Sequence, residues 1–399
     1  MQSLCIKCKG TRFLCGKPVC PRVEKAKALG KLKPIKKEIS GESPSVFVGR
    51  YGYPRVQAGP MISPYGEASD SPEEWYGTPL EKLVEMRYRL VRTKEPLSVY
   101  ATSPSRDLME MQDISMSIRA VDTEAKFSRI SAMPSFDTNH APFGQTGVLE
   151  KFRTTENPKI PRKVDAVVSD ELKAADQIQK MYDKDVAVSQ LSRIMSVGLL
   201  GIEKKMVPTR WSITATDDTI GKQMIEEVKE FRELDEHLLF ASTYLGNHFE
   251  VLLVPGNWCF ENVEAWMPGN IWLDSTADPE FAKDWEPYEG RKRYADSVTG
   301  AYYAARLGVL EYLKKIKRQA GVIVFREITP EYWTPLGVWV IRETVRNTVT
   351  TQPTKFATLK EALEEISTKT PLKHGWEPHS ELLHRFRSRE VMRKYLGNP

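Results

Sequence analysis

Residues 236–266 alternate strand-like apolar and polar runs, interrupted at Gly246-Asn247 and at Pro255-Gly256-Asn257. Glycine, proline and asparagine at such points make tight turns, so the pattern predicts an antiparallel meander. Val46 to Pro60 begins as a short strand and runs into a glycine-rich turn. Residues 210–215 predict a buried strand, and 321–327 and 336–341 predict two more. Helical spacing marks 169–182, 217–231 and 300–320. Ser71-Pro72-x-Glu74 and Thr78-Pro79-x-Glu81 each set a capping hydroxyl ahead of a proline and an acid, the signature of a helix start. The second of these helices is expected to reach Arg92. Thr358-x-x-Glu361 caps a last amphipathic helix with Leu359, Ala362, Leu363 and Ile366 on one face. Strands grouped between helices, without strict alternation, predict an α+β class: a large mixed α/β body with an antiparallel meander.

Asn157-Pro-Lys-Ile-Pro161 breaks regular patterning and is the candidate internal boundary. Four segments follow: 1–40 as a small module with a basic arm, 41–157 and 158–385 as the two parts of the body, and 386–399 as a flexible tail. Residues 31–45, rich in Lys, Pro and Ser, read as a linker. No apolar run approaches the roughly 18 residues of a bilayer span, and the first residues lack the pattern of a secretory signal. A cytoplasmic protein with no membrane partner is expected.

Charge sharpens this picture. The chain carries a net +5, yet residues 1–40 hold eleven Lys/Arg against Glu24 and Glu38 alone. The remainder is therefore mildly acidic. A basic arm on an acidic body is the footprint of a polyanion partner, most often nucleic acid. Lys7, Lys9, Arg12 and Lys17 become candidate phosphate contacts. A solvated lysine-rich arm without a partner is the plain alternative.

Four of the five cysteines, Cys5, Cys8, Cys15 and Cys20, fall within sixteen residues as C-x2-C-x6-C-x4-C. In a reducing compartment such a cluster binds metal more often than it forms disulfides. Tetrahedral Zn²⁺ takes four thiolates, and glycines behind the sulfurs, here Gly10 and Gly16, let backbone amides approach them. An arm this poor in apolar residues gains its folding energy from the metal. An iron–sulfur cluster and a redox pair are the rival readings. Cys259 lies in an apolar segment and reads as a core residue.

No Walker loop, dinucleotide fingerprint, HExxH or GxSxG occurs. Gly49-Arg50-x-Gly52-x-Pro54, with Gly59-Pro60, is a candidate phosphate cradle around Arg50, or a plain tight turn. Pro208-Thr-Arg-Trp-Ser-Ile-Thr-Ala-Thr-Asp-Asp218 is the richest polar cluster. On a strand, Arg210, Ser212 and Thr214 would share a face and Asp217 and Asp218 would stand at its end. That makes Asp217 and Asp218 candidate catalytic residues, against a role as mere helix caps. His248, beside Asn247, and His140, beside Asp137, are candidate bases or ligands, against satisfied structural histidines. Arg306, Arg326, Arg342 and Arg346 could form a basic rim or, equally, ion pairs with Glu327 and Glu343.

Together these stretches resemble the archaeal Nre family of DNA repair proteins. The resemblance is carried by Cys5-x2-Cys8-Lys-Gly, Leu14-Cys-Gly-Lys-Pro-x-Cys-Pro21, Val48-Gly-Arg-x-Gly-Tyr-Pro-x-Val-x-x-Gly-Pro-Met61 and Val207-Pro-Thr-Arg-Trp-Ser-Ile-Thr214. Gly246-Asn-His-Phe-Glu250 and Tyr332-Trp-x-Pro-Leu-Gly-Val-Trp339 extend it, from residue 5 to about 346. It implies a role in the DNA damage response, a zinc finger, and a C-terminal peptide that docks on the replication sliding clamp (PCNA). That peptide reads Gln-x-x-aliphatic-x-x-aromatic-aromatic. Here Arg389 stands for the glutamine and Leu396 for one aromatic, leaving Met392, Tyr395 and Leu396 as docking anchors. The resemblance supplies no catalytic residues. The leading expectation is a DNA repair factor that binds DNA and the clamp. The alternative is an enzyme acting on a nucleotide or nucleic-acid phosphate around Arg210 and Asp217. A zinc protein of RNA or the ribosome is a third reading.

Overall fold

The structure is a computed structural model that describes residues 2–131 and 141–396, with side chains over 5–131 and 141–388. Asp137 and His140 lie outside the described residues. The chain opens with helices α1 (Gln2–Cys8) and α2 (Pro21–Gly30) and then folds as two compact units, 21–220 and 1–20 with 221–399. The expected break at 157–161 is a loop inside the first of these units.

Residues 21–220 are built on a closed five-stranded barrel. Its strands are β1 (Glu38–Val48), β2 (Arg55–Ser63), β3 (Val91–Ser98), β4 (Val121–Ser131) and β5 (Thr146–Thr154), ordered β1-β2-β3-β5-β4 and back to β1. All neighbours are antiparallel except β3 and β5, which run parallel. Alternation explains the closure: Val121, Thr123, Ala125 and Phe127 point inward while Asp122 and Glu124 face out. Phe127 fills the interior so fully that a Cβ at Gly147 would stand 2.4 Å from its ring. Glycine is the residue that fits there. Between β2 and β3 runs α3 (Leu80–Arg89), and between β3 and β4 runs α4 (Arg106–Met116). The latter is capped by Ser105 and buries Leu108, Met111 and Ile114. Helices α5 (Arg162–Val168), α6 (Ala174–Tyr182), α7 (Val188–Ser196) and α8 (Thr209–Lys229) follow. The unit boundary falls within α8.

The other unit carries a six-stranded sheet. Its strands are β6 (His237–Tyr244), β7 (Asn247–Val254), β8 (Cys259–Trp266), β9 (Glu280–Glu286), β10 (Gly321–Ile328) and β11 (Thr354–Phe356), ordered β11-β6-β7-β10-β8-β9. Helix α9 (Gly300–Ile316) returns the chain so that β10 lies parallel to β8, and α10 (Trp339–Thr348) packs on α9. Two last helices are α11 (Leu359–Lys369) and α12 (Glu381–Leu396). Thr358 and Glu361 make the expected capping box, and Leu359, Ala362, Leu363 and Ile366 enter the core with Leu382, Leu383 and Phe386.

The α+β class holds, with corrections. The meander is interrupted: β6 and β7 pair as a hairpin, but β10, all eight residues buried, intervenes between β7 and β8. A strand buried on both faces belongs at a sheet's centre. Residues 210–215 are helix, not strand. Ser212, Thr216, Ile220, Met224 and Val228 are buried at four-residue intervals, a helical stripe that overrides their β-branched neighbours. Residues 336–341 likewise lead into α10 rather than a strand. The helix expected at 169–182 begins only at Ala174, and α3 stops at Arg89 because β3 claims Val91. The linker at 31–45 is not loose: β1 starts at Glu38, and Ile35 N–H donates to Gln145 Oε1 at 2.9 Å. The tail expected beyond 386 continues α12 to Leu396, with Phe386 buried.

Candidate nucleic-acid interface

The cysteine segment is organised around Cys8. Cys5 and Cys8 stand one turn apart on α1, and Lys9 and Gly10 then turn the chain through left-handed backbone. That turn aims backbone N–H groups of Leu14, Arg12, Gly10 and Phe13 at the Cys8 sulfur, holding its thiol below the ordinary value. Four thiols with amides donating to one sulfur are the donor chemistry that a thiophilic cation requires. Among the described residues, however, no group of three or more His, Cys, Asp or Glu side chains is drawn together to hold a metal. Lys7, Lys9 and Arg12 are exposed, as phosphate contacts must be. Lys17 is not: its ammonium donates to the carbonyls of Gly269 at 3.1 Å, Asn270, and Leu273 at 3.5 Å. Burial lowers its pKa. Lys17 anchors the segment instead of offering charge.

The expected phosphate cradle is the connection between β1 and β2. Gly52 takes φ +86°, and a Cβ there would meet the Arg55 carbonyl at 2.5 Å, so the tight turn depends on glycine. Gly59, by contrast, sits inside β2 against Thr93 and serves barrel packing. The turn displays Arg50, whose guanidinium lies 5.0 Å from the Tyr51 ring centroid and donates to its hydroxyl at 3.0 Å. Val48 N–H donates to Thr209 Oγ1 at 2.9 Å, which ties the end of β1 to the start of α8. Trp211 thereby lies with its ring centroid 5.9 Å from that of Tyr53. Pro54 accepts from Val99 N–H at 3.0 Å, and Val99 accepts from Met206 N–H at 2.7 Å. These bonds bring in Tyr100, over which Lys205 Nζ sits 5.6 Å from the ring centroid. Tyr51, Tyr53, Tyr100 and Trp211 are 78, 48, 58 and 46% exposed.

Arg210 is exposed at this same place, but Asp217 and Asp218 do not stand at a strand end. Asp217 is fully buried two turns into α8 and Asp218 is half-buried, so neither caps the helix nor faces substrate. The pocket expected around Arg210 and Asp217 thus loses its geometric basis. His248 belongs to the other unit. Its Nδ1 is bonded to Thr243 Oγ1 at 2.9 Å and its Nε2 to buried Glu250 at 2.8 Å, which is the satisfied structural arrangement. The expected basic rim is committed to ion pairs: Arg306–Glu286 at 2.7 Å, Arg326–Glu264 at 2.6 Å, Arg342–Glu343 at 3.0 Å and Arg346–Glu311 at 2.5 Å. Backbone at Met392, Tyr395 and Leu396 is helical, within α12.

Sequence reasoning found Arg50 and Arg210 but missed the rings beside them. Two tyrosines within a Gly-x-Tyr-Gly-Tyr-Pro turn were the available signal, since a turn gives aromatic rings nothing to pack against. Tyr100 carried none. The strand order, the single parallel pair and the helix between β3 and β4 are the connectivity of the OB barrel. The class is therefore an α+β protein that joins an OB-type barrel to a mixed sheet and a cysteine-rich N-terminal segment. Residues 14–273 match the family model described as "Archaeal Nre, N-terminal" and residues 286–395 the one described as "Archaeal Nre, C-terminal". The chain belongs to the archaeal Nre family. It is 37% identical over 366 residues to "DNA repair protein NreA" of Archaeoglobus fulgidus, covering 91% of this chain and 93% of that one. It is 36% identical over 397 residues to "DNA repair protein NreB" of the same organism, covering 97 and 98%. With "DNA repair protein NreA" of Haloferax volcanii it shares 33% over 351 residues, covering 83% of each. No solved structure matches the chain. Among the described residues, no helix is long and apolar enough to cross a membrane.

Proposed function

We propose that this protein is a DNA repair factor that binds DNA and docks on the replication sliding clamp (PCNA). The observation that supports it is likeness along nearly the whole chain to three relatives that are each named a DNA repair protein. In this reading the N-terminal segment binds Zn²⁺ through Cys5, Cys8, Cys15 and Cys20, and its exposed Lys7, Lys9 and Arg12 meet phosphates. The clamp is met by the end of α12, where Met392, Tyr395 and Leu396 follow the i, i+3, i+4 spacing of one helical face.

Two measurements test the reading, one in the host and one on the full-length protein. Deleting the gene should sensitise its host to DNA damage, with rescue by the wild-type gene. Replacing Lys7, Lys9 and Arg12 with Gln should weaken DNA binding and flatten its salt dependence, by about 0.7–0.9 in log–log slope for each phosphate that is no longer neutralised. A deletion host as damage-resistant as its parent, with no DNA binding by the purified protein, would overturn it.

A further inference from the structure

We propose that the β1–β2 rim of the barrel is a binding surface for single-stranded DNA, with bases stacked on Tyr53, Trp211 and Tyr100 and phosphates met by Arg50, Arg55 and Arg210. The proposal deepens the DNA-binding reading above and rests on it. It adds which form of DNA is bound and which residues bind it.

Three observations carry it. Among the described residues of 21–220, the four exposed aromatic rings (Tyr51, Tyr53, Tyr100 and Trp211) all gather at this one rim. Folding does not require this, since the barrel interior is already filled by Phe127, Val56, Ala58 and Ile62. The rings stand on fixed backbone: the turn is closed by Gly49 N–H to Gln57 O and by Arg55 N–H to Gly52 O, both at 2.8 Å. The platform is thus formed before a ligand arrives. The surrounding charge is mainly positive, with Arg50, Arg55 and Arg210 exposed and Lys205 held between Tyr100 and its ion-pair partner Glu203.

Rings interleaved with arginines read bases by their faces and the backbone by its charge. A duplex hides base faces inside its stack, so the surface suits an unpaired strand. The connection between β1 and β2 is also one of the loops by which OB barrels bind oligonucleotides.

The test is fluorescence anisotropy of the full-length protein with labelled oligo(dT), oligo(U) and a blunt duplex of matched length. Tyr53→Ala and Trp211→Ala should each weaken oligo(dT) binding about tenfold, and Trp211→Phe much less, because a ring still stacks. Duplex binding should stay at the wild-type level, and so should the melting temperature, since both rings face solvent. If the wild type binds DNA and the alanine variants bind oligo(dT) equally well, the rim proposal fails while the DNA-binding reading stands. If the wild type binds no DNA of either form, both fail. A tenfold or greater preference for oligo(U) would reassign the rim to RNA and overturn the proposal.

Discussion

Helix α12 bears the candidate clamp peptide, and one buried carboxylate fixes where it starts. Glu261 on β8 is wholly buried. One of its oxygens accepts from Glu381 N–H at 2.8 Å, and the other from Leu382 N–H at 3.1 Å and Ser380 Oγ at 2.5 Å. The first N–H groups of a helix have no partner within it, and a negative charge there also suits the helix dipole. Glu261→Ala removes the acceptor for all three donors at once. A buried donor left unmade costs about 1–3 kcal/mol. Ser380 can turn its hydroxyl, and Glu381 N–H is near enough to solvent to recover water. A net loss of roughly 2–4 kcal/mol is therefore expected. Glu261→Gln, which keeps one oxygen acceptor, should lose about half as much. Urea denaturation of both variants measures the loss, and hydrogen exchange locates it: amides of α12 should exchange faster, while those of the barrel keep their protection. A Glu261→Ala variant within about 0.5 kcal/mol of wild type would refute the reasoning.

Glu95 on β3 is pushed up to about 7 by burial and by Asp107, from an ordinary value of 4.5. Its folded form holds the proton more tightly, so its contribution is complete below 4.5 and fades as pH rises through 7. Glu95→Gln should therefore stabilise the protein at pH 8 relative to wild type by on the order of 1 kcal/mol after solvent screening, and hardly at all at pH 4.5. Melts at the two values check this. Metal analysis should find about one Zn²⁺ per chain, lost in Cys8→Ser with the barrel still folded; iron with visible absorbance would overturn the zinc assignment. Calorimetry of a 386–399 peptide against the host's clamp should give an affinity on the order of micromolar or weaker. Binding that survives Tyr395→Ala with Leu396→Ala would rule out those anchors.

Short local signals were legible in part: Ser71 heads only a three-residue 3-10 turn without a side-chain cap, and Pro79, not Thr78, stands at the N-cap of α3. The Thr358–Glu361 capping box and the β6–β7 turn at Gly246 both lie where residue type alone predicts them. Patterns that depended on tertiary context misled. Ile213, Thr214 and Thr216 favour a strand in isolation, yet α8 forms because residues four apart are buried together. The insertion of β10 between β7 and β8 could not be read, because a crossover through α9 leaves no mark on the strands it separates. The barrel was likewise invisible. Its closure rests on β1 meeting β4 and β3 meeting β5, pairings more than fifty residues apart. The site suffered accordingly. A strand would put Arg210 on one face with Ser212 and Thr214 and Asp217 at its end, whereas the helix buries Asp217 and leaves Arg210 and Trp211 at the surface.

That displacement changes what kind of function the residues can support. An acid and an arginine converging at a strand end would suggest phosphate chemistry. Rings and arginines spread over a rigid rim suggest recognition, because they offer surface and charge spread along a face and not converging on one acid. In the proposed reading, two elements would meet DNA and divide the work by physics. Lys7, Lys9 and Arg12 would act through phosphate charge, which salt weakens and which treats every sequence and either strandedness alike. Tyr53, Tyr100 and Trp211 would act through ring faces, which salt hardly touches and which demand unpaired bases. Charge alone would bring the protein to any DNA. The rim is what would hold it where a strand has been exposed.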